Sequence, residues 1–285
     1  MRVVTETDEI HRQAEALRAG DKRLSFVPTM GALHEGHLAL VRLAHQHADR
    51  VAVSIFVNPL QFGPREDFRV YPRTPEEDCE RLEKEGVDLV FMPTTEAMYP
   101  SGWTVSVHPG PVGGVYEGKI RPGHFQGVLT VVAKLFHIVD PDVAVFGEKD
   151  AQQLFMIRRM VEDLDFRVKI IAGETVRESD GLALSSRNAF LTLDERAKAP
   201  VLYRSLQAGR LAILDDGVRT LGQLQDAMRT VLAEIPELRV EYSTAVCDQS
   251  FSETDPLPKD DIRLIVAGRF STVRLIDNLL VSGGK

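Results

Sequence analysis

The chain has 285 residues, 44% hydrophobic and 27% charged, with a formal net charge of −8. That suits a globular protein of one large or two ordinary domains, and the acidic balance argues against a general nucleic-acid surface while leaving room for a local phosphate pocket. The only cysteines, Cys79 and Cys247, are too few for a disulfide framework or a four-cysteine metal site. The N-terminus lacks a signal-like apolar segment, and no stretch approaches the roughly 18 apolar residues of a membrane span. The expectation is a cytoplasmic protein acting on a small molecule, without nucleic-acid or membrane partners.

Thr7 or Thr5 can cap a first helix carrying Ile10, Ala14 and Leu17 and closing at Gly20. Leu24, Phe26 and Val27 then form a buried strand that stops at Pro28, and Leu38, Leu40, Val41 and Ala44 recur at helical spacing beyond His37. Val51 to Val57 is a second buried strand. Thr74, Pro75 and Glu77 predict a capping box starting a helix that runs to Gly86, followed by a strand over Val87 to Met92. Trp103 to Val107 alternates like a half-exposed strand. A helix with Val128, Leu129, Val132, Leu135 and Ile138 precedes a strand over Val143 to Phe146, and a helix with Leu154, Ile157 and Val161 precedes a strand over Val168 to Ala172. This alternation predicts a parallel, doubly wound α/β sheet. Beyond Gly173 the order changes to helices over Asp194 to Ile213 and Leu221 to Ile235, then strands over Val240 to Val246, Ile262 to Ala267 and Val273 to Leu279. A smaller C-terminal α+β domain is expected, with residues 1–175 and 176–285 as the two domains and Glu174 to Arg177 as the hinge region.

The segment LSFVPTMGALHEGH places His34 and His37 at a helix N-terminus, where free backbone N–H groups and the helix dipole favour an anion. Gly31 and Gly36 allow close approach of a ligand, with phosphate the natural occupant. Zinc is the rival, but its helical pattern spaces histidines at i and i+4, whereas these stand at i and i+3. Asn58 and Gln61, after the second strand, can hold hydroxyls and carboxylates, or simply a turn of their own. Arg121, ahead of a helix, could meet an anion or sit at an exposed helix start. Lys149 and Asp150 follow a strand, where an ammonium can neutralise phosphate and a carboxylate can bind ribose, although a surface pair would look the same. Ser185, Ser186 and Arg187 suit either a phosphate clamp or a helix cap with a surface arginine.

Together PTMGALHEGHLAL, NPLQFG, RPGHFQG, FGEKDAQQL, DGLALSSRN and RLIVAGRFSTVRLIDNLLV closely resemble the pantoate–β-alanine ligase family of the HxGH nucleotidyltransferase superfamily, over essentially the whole chain. The resemblance implies a Rossmann-like domain with a smaller lid domain, and an ATP-dependent ligase that joins pantoate to β-alanine through an acyl-adenylate. It also implies Mg²⁺ as a companion of ATP, and a homodimer. It assigns ATP to Met30, Gly31, Ala32, Leu33, His34, Glu35, Gly36 and His37, to Gly147, Glu148, Lys149 and Asp150, and to Val176, Leu184, Ser185, Ser186 and Arg187. Val176 would act through its main chain, and Leu184 stands where some members have Met. Gln61, Gln153, Asn58 and Arg121 are assigned to the substrates, and His34, His37, Lys149 and Arg187 to catalysis. Ala151 departs from the aromatic common at that place. Two other readings stay open: an HxGH adenylyltransferase that stops at nucleotidyl transfer, and a non-catalytic nucleotide-binding regulator.

Overall fold

The computed structural model describes residues 1–64, 66–258 and 261–282. The chain divides into two compact units, Met1–Glu148 with Gln152–Glu174, and Lys149–Ala151 with Thr175–Lys285.

In the first unit β1 (Arg2–Val4), α1 (Thr7–Leu17), β2 (Leu24–Thr29), α2 (Glu35–His47), β3 (Arg50–Ile55), α3 (Pro75–Lys84) and β4 (Leu89–Phe91) follow in order. The short α4 (Thr95–Met98) and α5 (Glu117–Ile120) come next, then α6 (His124–Val139), β5 (Val143–Gly147), α7 (Ala151–Asp163) and β6 (Lys169–Gly173). The six strands pair in the order β1-β4-β3-β2-β5-β6, every pair parallel. Because side chains alternate along a strand, each of the four central strands feeds two cores. Phe26, Ala52, Phe91, Ala144 and Phe146 meet Ile10 and Ala14 of α1, Leu129 and Leu135 of α6 and Ile157 of α7 on one face. Val27, Val53, Val90 and Val145 meet Val41 and Ala44 of α2 and Leu82 of α3 on the other. This is the expected doubly wound sheet.

Winding reverses between β2 and β5, the position where open α/β sheets bind ligands at their carboxyl ends. Phe26 pairs with Ala144, so the strand ends at Thr29 and Gly147 come level.

The second unit contains α8 (Leu193–Lys198), α9 (Val201–Leu214), α10 (Leu221–Leu232) and the antiparallel sheet β7 (Arg239–Cys247), β8 (Ile262–Phe270) and β9 (Val273–Val281) in that order across the sheet. Leu206 and Ile213 of α9 and Leu224 and Met228 of α10 share a core with Leu264, Val266 and Leu275. The expected α+β pattern is therefore present.

Several local expectations differ. Trp103 to Val107 forms no strand: Val107 N–H donates to Thr130 Oγ1 at 3.0 Å and the Trp103 ring packs on Tyr99, so the segment lies along α6 instead of pairing in a sheet. The helix expected over Asp194 to Ile213 is broken at Ala199–Pro200, because proline offers no N–H to the preceding turn and its ring crowds that turn's carbonyl. Neither Thr5 nor Thr7 caps α1, whose N-cap is Glu6. No capping box forms at Thr74 either: its hydroxyl donates to Asp78 at 3.2 Å, while Glu77 pairs with Arg81. The edge strand β1, three residues long, is too short to show periodicity.

Candidate active site

β2 delivers the chain to a loop, Met30 to His34, whose backbone is held in unusual conformations by named partners. Gly31 has φ +80°, and an added Cβ would lie 2.9 Å from Ile55 Cγ2 and 3.0 Å from Asp78 Oδ2. Ala32 also sits in the left-handed region, at φ +50°, a conformation costing an L-residue about 1–2 kcal/mol. The compensation comes from α3. Asp78, buried at 1% exposure, accepts the N–H of Ala32 at 2.9 Å and of Leu33 at 2.8 Å. Arg81 donates to Leu33 O at 2.6 Å, and Thr29 Oγ1 accepts from Gly31 N–H at 3.2 Å. Sequence reading did not single out Asp78, which falls inside the helix expected after Thr74. The signal available was an acid in a first turn, which does not reveal a partner 45 positions away.

α2 then begins under an unusual cap. His34 is the N-cap residue, with its Nδ1 accepting Gly36 N–H at 3.2 Å, while His37 Nδ1 accepts His34 N–H at 3.3 Å. The two rings stack with centroids 4.1 Å apart. A backbone N–H can only donate, so both Nδ1 atoms are acceptors and each neutral ring carries its hydrogen on Nε2. The histidines thus finish the helix start and turn their N–H donors to the second ring nitrogen. That arrangement supports an anion better than a metal, which would need unprotonated ring nitrogens. Among the described residues no group of three His, Cys, Asp or Glu side chains is placed to hold a metal ion.

The end of β3 is joined to this loop. Asn58 is 1% exposed and its amide is fully engaged: Nδ2 donates to Gln61 Oε1 and Gly127 O, both at 3.1 Å, and Oδ1 accepts from Leu60 N–H at 3.3 Å and from the Tyr99 hydroxyl at 2.8 Å. Burial pushes the Tyr99 phenol well above its usual range, so it stays a donor. Asn58 acts here as a scaffold for Gln61, whose Nε2 lies 3.1 Å from Met30 Sδ. Gly127 makes this junction possible, since a Cβ there would lie 2.3 Å from Leu60 O.

Arg121 reaches the same place with a partner already on its fork. Its Nε and Nη2 donate to Glu66 at 3.0 and 2.6 Å and Nη2 also donates to Gln61 O at 3.3 Å, so a substrate carboxylate could take this Nε–Nη2 edge on both oxygens only by replacing Glu66. Sequence reading passed over His124, in the same RPGHFQG run. Its Nδ1–H donates to Gln61 O at 2.9 Å and its Nε2 accepts from Arg121 Nη1 at 3.0 Å. Burial first, then the Arg121 charge, lowers the His124 pKa from 6.5 to about 4, so the ring is a neutral brace.

Met30, Gly31, Ala32, Leu33, His34, Glu35, Gly36, His37, Asn58, Gln61 and Arg121 are therefore gathered around the carboxyl ends of β2 and β3, with Gly147 and Glu148 ending β5. Gln153 is half-buried on α7. Lys149 and Asp150 lie in the 3-10 turn Glu148–Asp150.

The second unit holds the remaining candidates on one hairpin. Leu184 N–H donates to Val176 O at 3.0 Å and Arg177 bridges to Ala183, which sets Val176 opposite Leu184. Ser185 follows as the N-cap of the turn Ser186–Phe190, its hydroxyl accepting Arg187 N–H at 3.3 Å. Ser185 thus forms the cap that the sequence allowed.

Fold and loop define a doubly wound α/β protein with a histidine-capped helix start at its switch point. The family model described as pantoate-beta-alanine ligase matches residues 2–280. The chain is 54% identical over 271 residues to pantothenate synthetase of Mycolicibacterium smegmatis, covering 94% of this chain and 84% of that protein. The crystal structure of pantothenate synthetase from Thermus thermophilus is similar with a TM-score of 0.93 at 47% identity, covering 99% of this chain and 100% of that one. That of pantoate-beta-alanine ligase from Francisella tularensis, complexed with beta-gamma ATP and β-alanine, is similar with a TM-score of 0.81 at 34% identity, covering 98% and 97%. The chain belongs to the pantoate–β-alanine ligase family.

Proposed function

We propose that this chain condenses (R)-pantoate with β-alanine to pantothenate, converting ATP to AMP and pyrophosphate. The observation carrying the reading is the pair of histidines that cap α2 through Nδ1, in a chain matched by the ligase family over residues 2–280. In the first step a pantoate carboxylate oxygen bonds to the α-phosphorus of ATP and the bond to the bridging oxygen breaks, releasing pyrophosphate. In the second the β-alanine amine bonds to the acyl carbon, the bond to the AMP oxygen breaks, and a proton leaves the nitrogen.

Such a reaction needs positioning and charge stabilisation, with no enzyme nucleophile. His34 and His37 donate from Nε2 to phosphate oxygens, and the Met30 to His37 backbone holds the nucleotide. Lys149 and Arg187 neutralise charge on the departing pyrophosphate. Gly147, Glu148, Asp150, Val176, Leu184, Ser185 and Ser186 complete the ATP-binding set. Gln61, braced by Asn58, and Gln153 orient the acid, with Arg121 assigned to the same task. The smaller domain, 176–285, acts as a lid.

Mg²⁺ fits as a cation carried in on the triphosphate, because it prefers phosphate oxygens and its own water to an all-protein cage. There it would screen the pyrophosphate charge. A cytoplasmic homodimer is part of the same proposal, supported by the family resemblance.

The test is pyrophosphate release with pantoate present or omitted, followed by product analysis on adding β-alanine. Pantothenate with AMP is expected. A dinucleotide product would make the chain an adenylyltransferase, and ATP binding without pyrophosphate release would make it a regulator.

A further inference from the structure

The last strand carries a buried polar residue to which the reaction above gives no role. Asn278 on β9 is 5% exposed, and its Nδ2 donates to the main-chain oxygen of Lys149 at 2.9 Å. The direction of that amide is fixed from behind. Arg263, 4% exposed on β8, donates Nη1 to Asn278 Oδ1 at 2.7 Å and Nε to Asp248 Oδ1 at 2.5 Å. A guanidinium can only donate and a carbonyl can only accept, so the amide cannot be flipped without breaking both contacts.

The neighbouring residue fixes the strand itself. Asp277 takes Arg177 on both oxygens, at 2.6 and 2.9 Å, and accepts Asn278 N–H at 2.8 Å, while Arg177 Nη2 donates to Asn278 O at 3.2 Å. The Arg177 guanidinium lies 4.1 Å over the Tyr203 ring. Burying Arg263 and Asp277, with Arg177 and Asp248 half-buried beside them, costs desolvation that packed apolar side chains would avoid. What the assembly does achieve is a rigid donor aimed at one peptide group. That group belongs to Lys149, in the turn Glu148–Asp150, whose neighbours Lys149–Ala151 cluster with this second unit although they follow β5 in the chain.

We propose that Asn278 is a positioning residue for Lys149: it fixes the peptide plane from which the lysine ammonium is directed at the triphosphate, and Arg263 orients it. The inference rests on the ligase reading and adds a residue to its machinery.

The test is a double-mutant cycle on single-turnover pyrophosphate release, with enzyme in excess so that slow rates stay measurable. Asn278→Asp keeps the acceptor for Arg263 and replaces the donor facing Lys149 O by a second oxygen. It should slow release by between about tenfold and about a hundredfold, as a misplacement on the order of 1 Å does, with pantoate KM unchanged. In a Lys149→Ala background the same change should cost nothing further, because the group it positions is gone. Asn278→Ala, which adds no charge, serves if the aspartate variant does not fold, with the same pattern expected. Losses that multiply in the double variant, or a normal rate in the folded single variants, would overturn the proposal. Wild-type protein that makes no pantothenate would instead remove the ligase reading.

Discussion

His34 has two tasks that substitution can separate. As N-cap it satisfies Gly36 N–H through Nδ1, and in the proposed reaction its Nε2 donates to phosphate. Asparagine caps helices well through its side-chain oxygen but has no donor at that reach. His34→Asn should therefore keep wild-type stability in urea and slow adenylate formation by about a hundredfold, while His37→Ala should show a similar loss of rate. Urea titration and pyrophosphate release check the two halves independently. His124 gives a different signature. Its folded pKa of about 4 lies below the ordinary 6.5, so between those values the unfolded chain takes up a proton that the native ring refuses. Stability from this group is present above pH 6.5 and is lost as pH falls through 4, by about 3 kcal/mol over the window. His124→Gln, which cannot titrate, should show a shallower fall in unfolding free energy between pH 7 and pH 4.5. An unchanged slope would assign acid sensitivity elsewhere.

At the scale of elements, the site depends on two close approaches. α3 holds the β2–α2 loop through Asp78, and removing that carboxylate leaves two buried N–H groups without acceptors and Ala32 without its compensation. Asp78→Ala should cost about 2–4 kcal/mol and disable ATP binding, as read by denaturation and calorimetry. α6 approaches the Pro59–Gln61 turn over Gly127. Gly127→Ala would push Leu60 and Gln61 away, so kcat/KM for pantoate should drop while the Kd for ATP holds. Collapse of ATP affinity with pantoate use intact would place that turn on the wrong substrate. The same two contacts show where sequence reading stops. HEGH, NPLQFG and GEKD are contiguous and sit at strand ends, so their residues were legible as a set. Asp78, His124 and Asn278 act across long separations through one or two hydrogen bonds each, and the sequence around them does not reveal those distant partners. Among elements, apolar runs such as Val51 to Val57 revealed the strands of the sheet, whereas Trp103 to Val107 alternated without a strand partner because its backbone found α6 first.

For the whole molecule, the doubly wound order and the α+β remainder followed from the change of pattern at Gly173, because two-sided burial of β2, β3 and β5 leaves continuous apolar runs. The nucleotide should register in the hairpin as well. If Ser185, Ser186 and Arg187 bind triphosphate, saturating ATP should slow amide exchange across residues 173–188, and Arg187→Ala should abolish that protection. Unchanged exchange in the wild type would remove the hairpin from the nucleotide site.

The second unit is discontinuous in the chain: Lys149–Ala151 belong with Thr175–Lys285. Inheritance of its parts is therefore constrained. A recombination joint placed at residue 175, the obvious seam, would separate Asn278 from the lysine it holds and pair each with a stranger. Chimeras between relatives should thus work best when the Lys149 segment and the final strand come from the same parent, whichever parent supplies the rest.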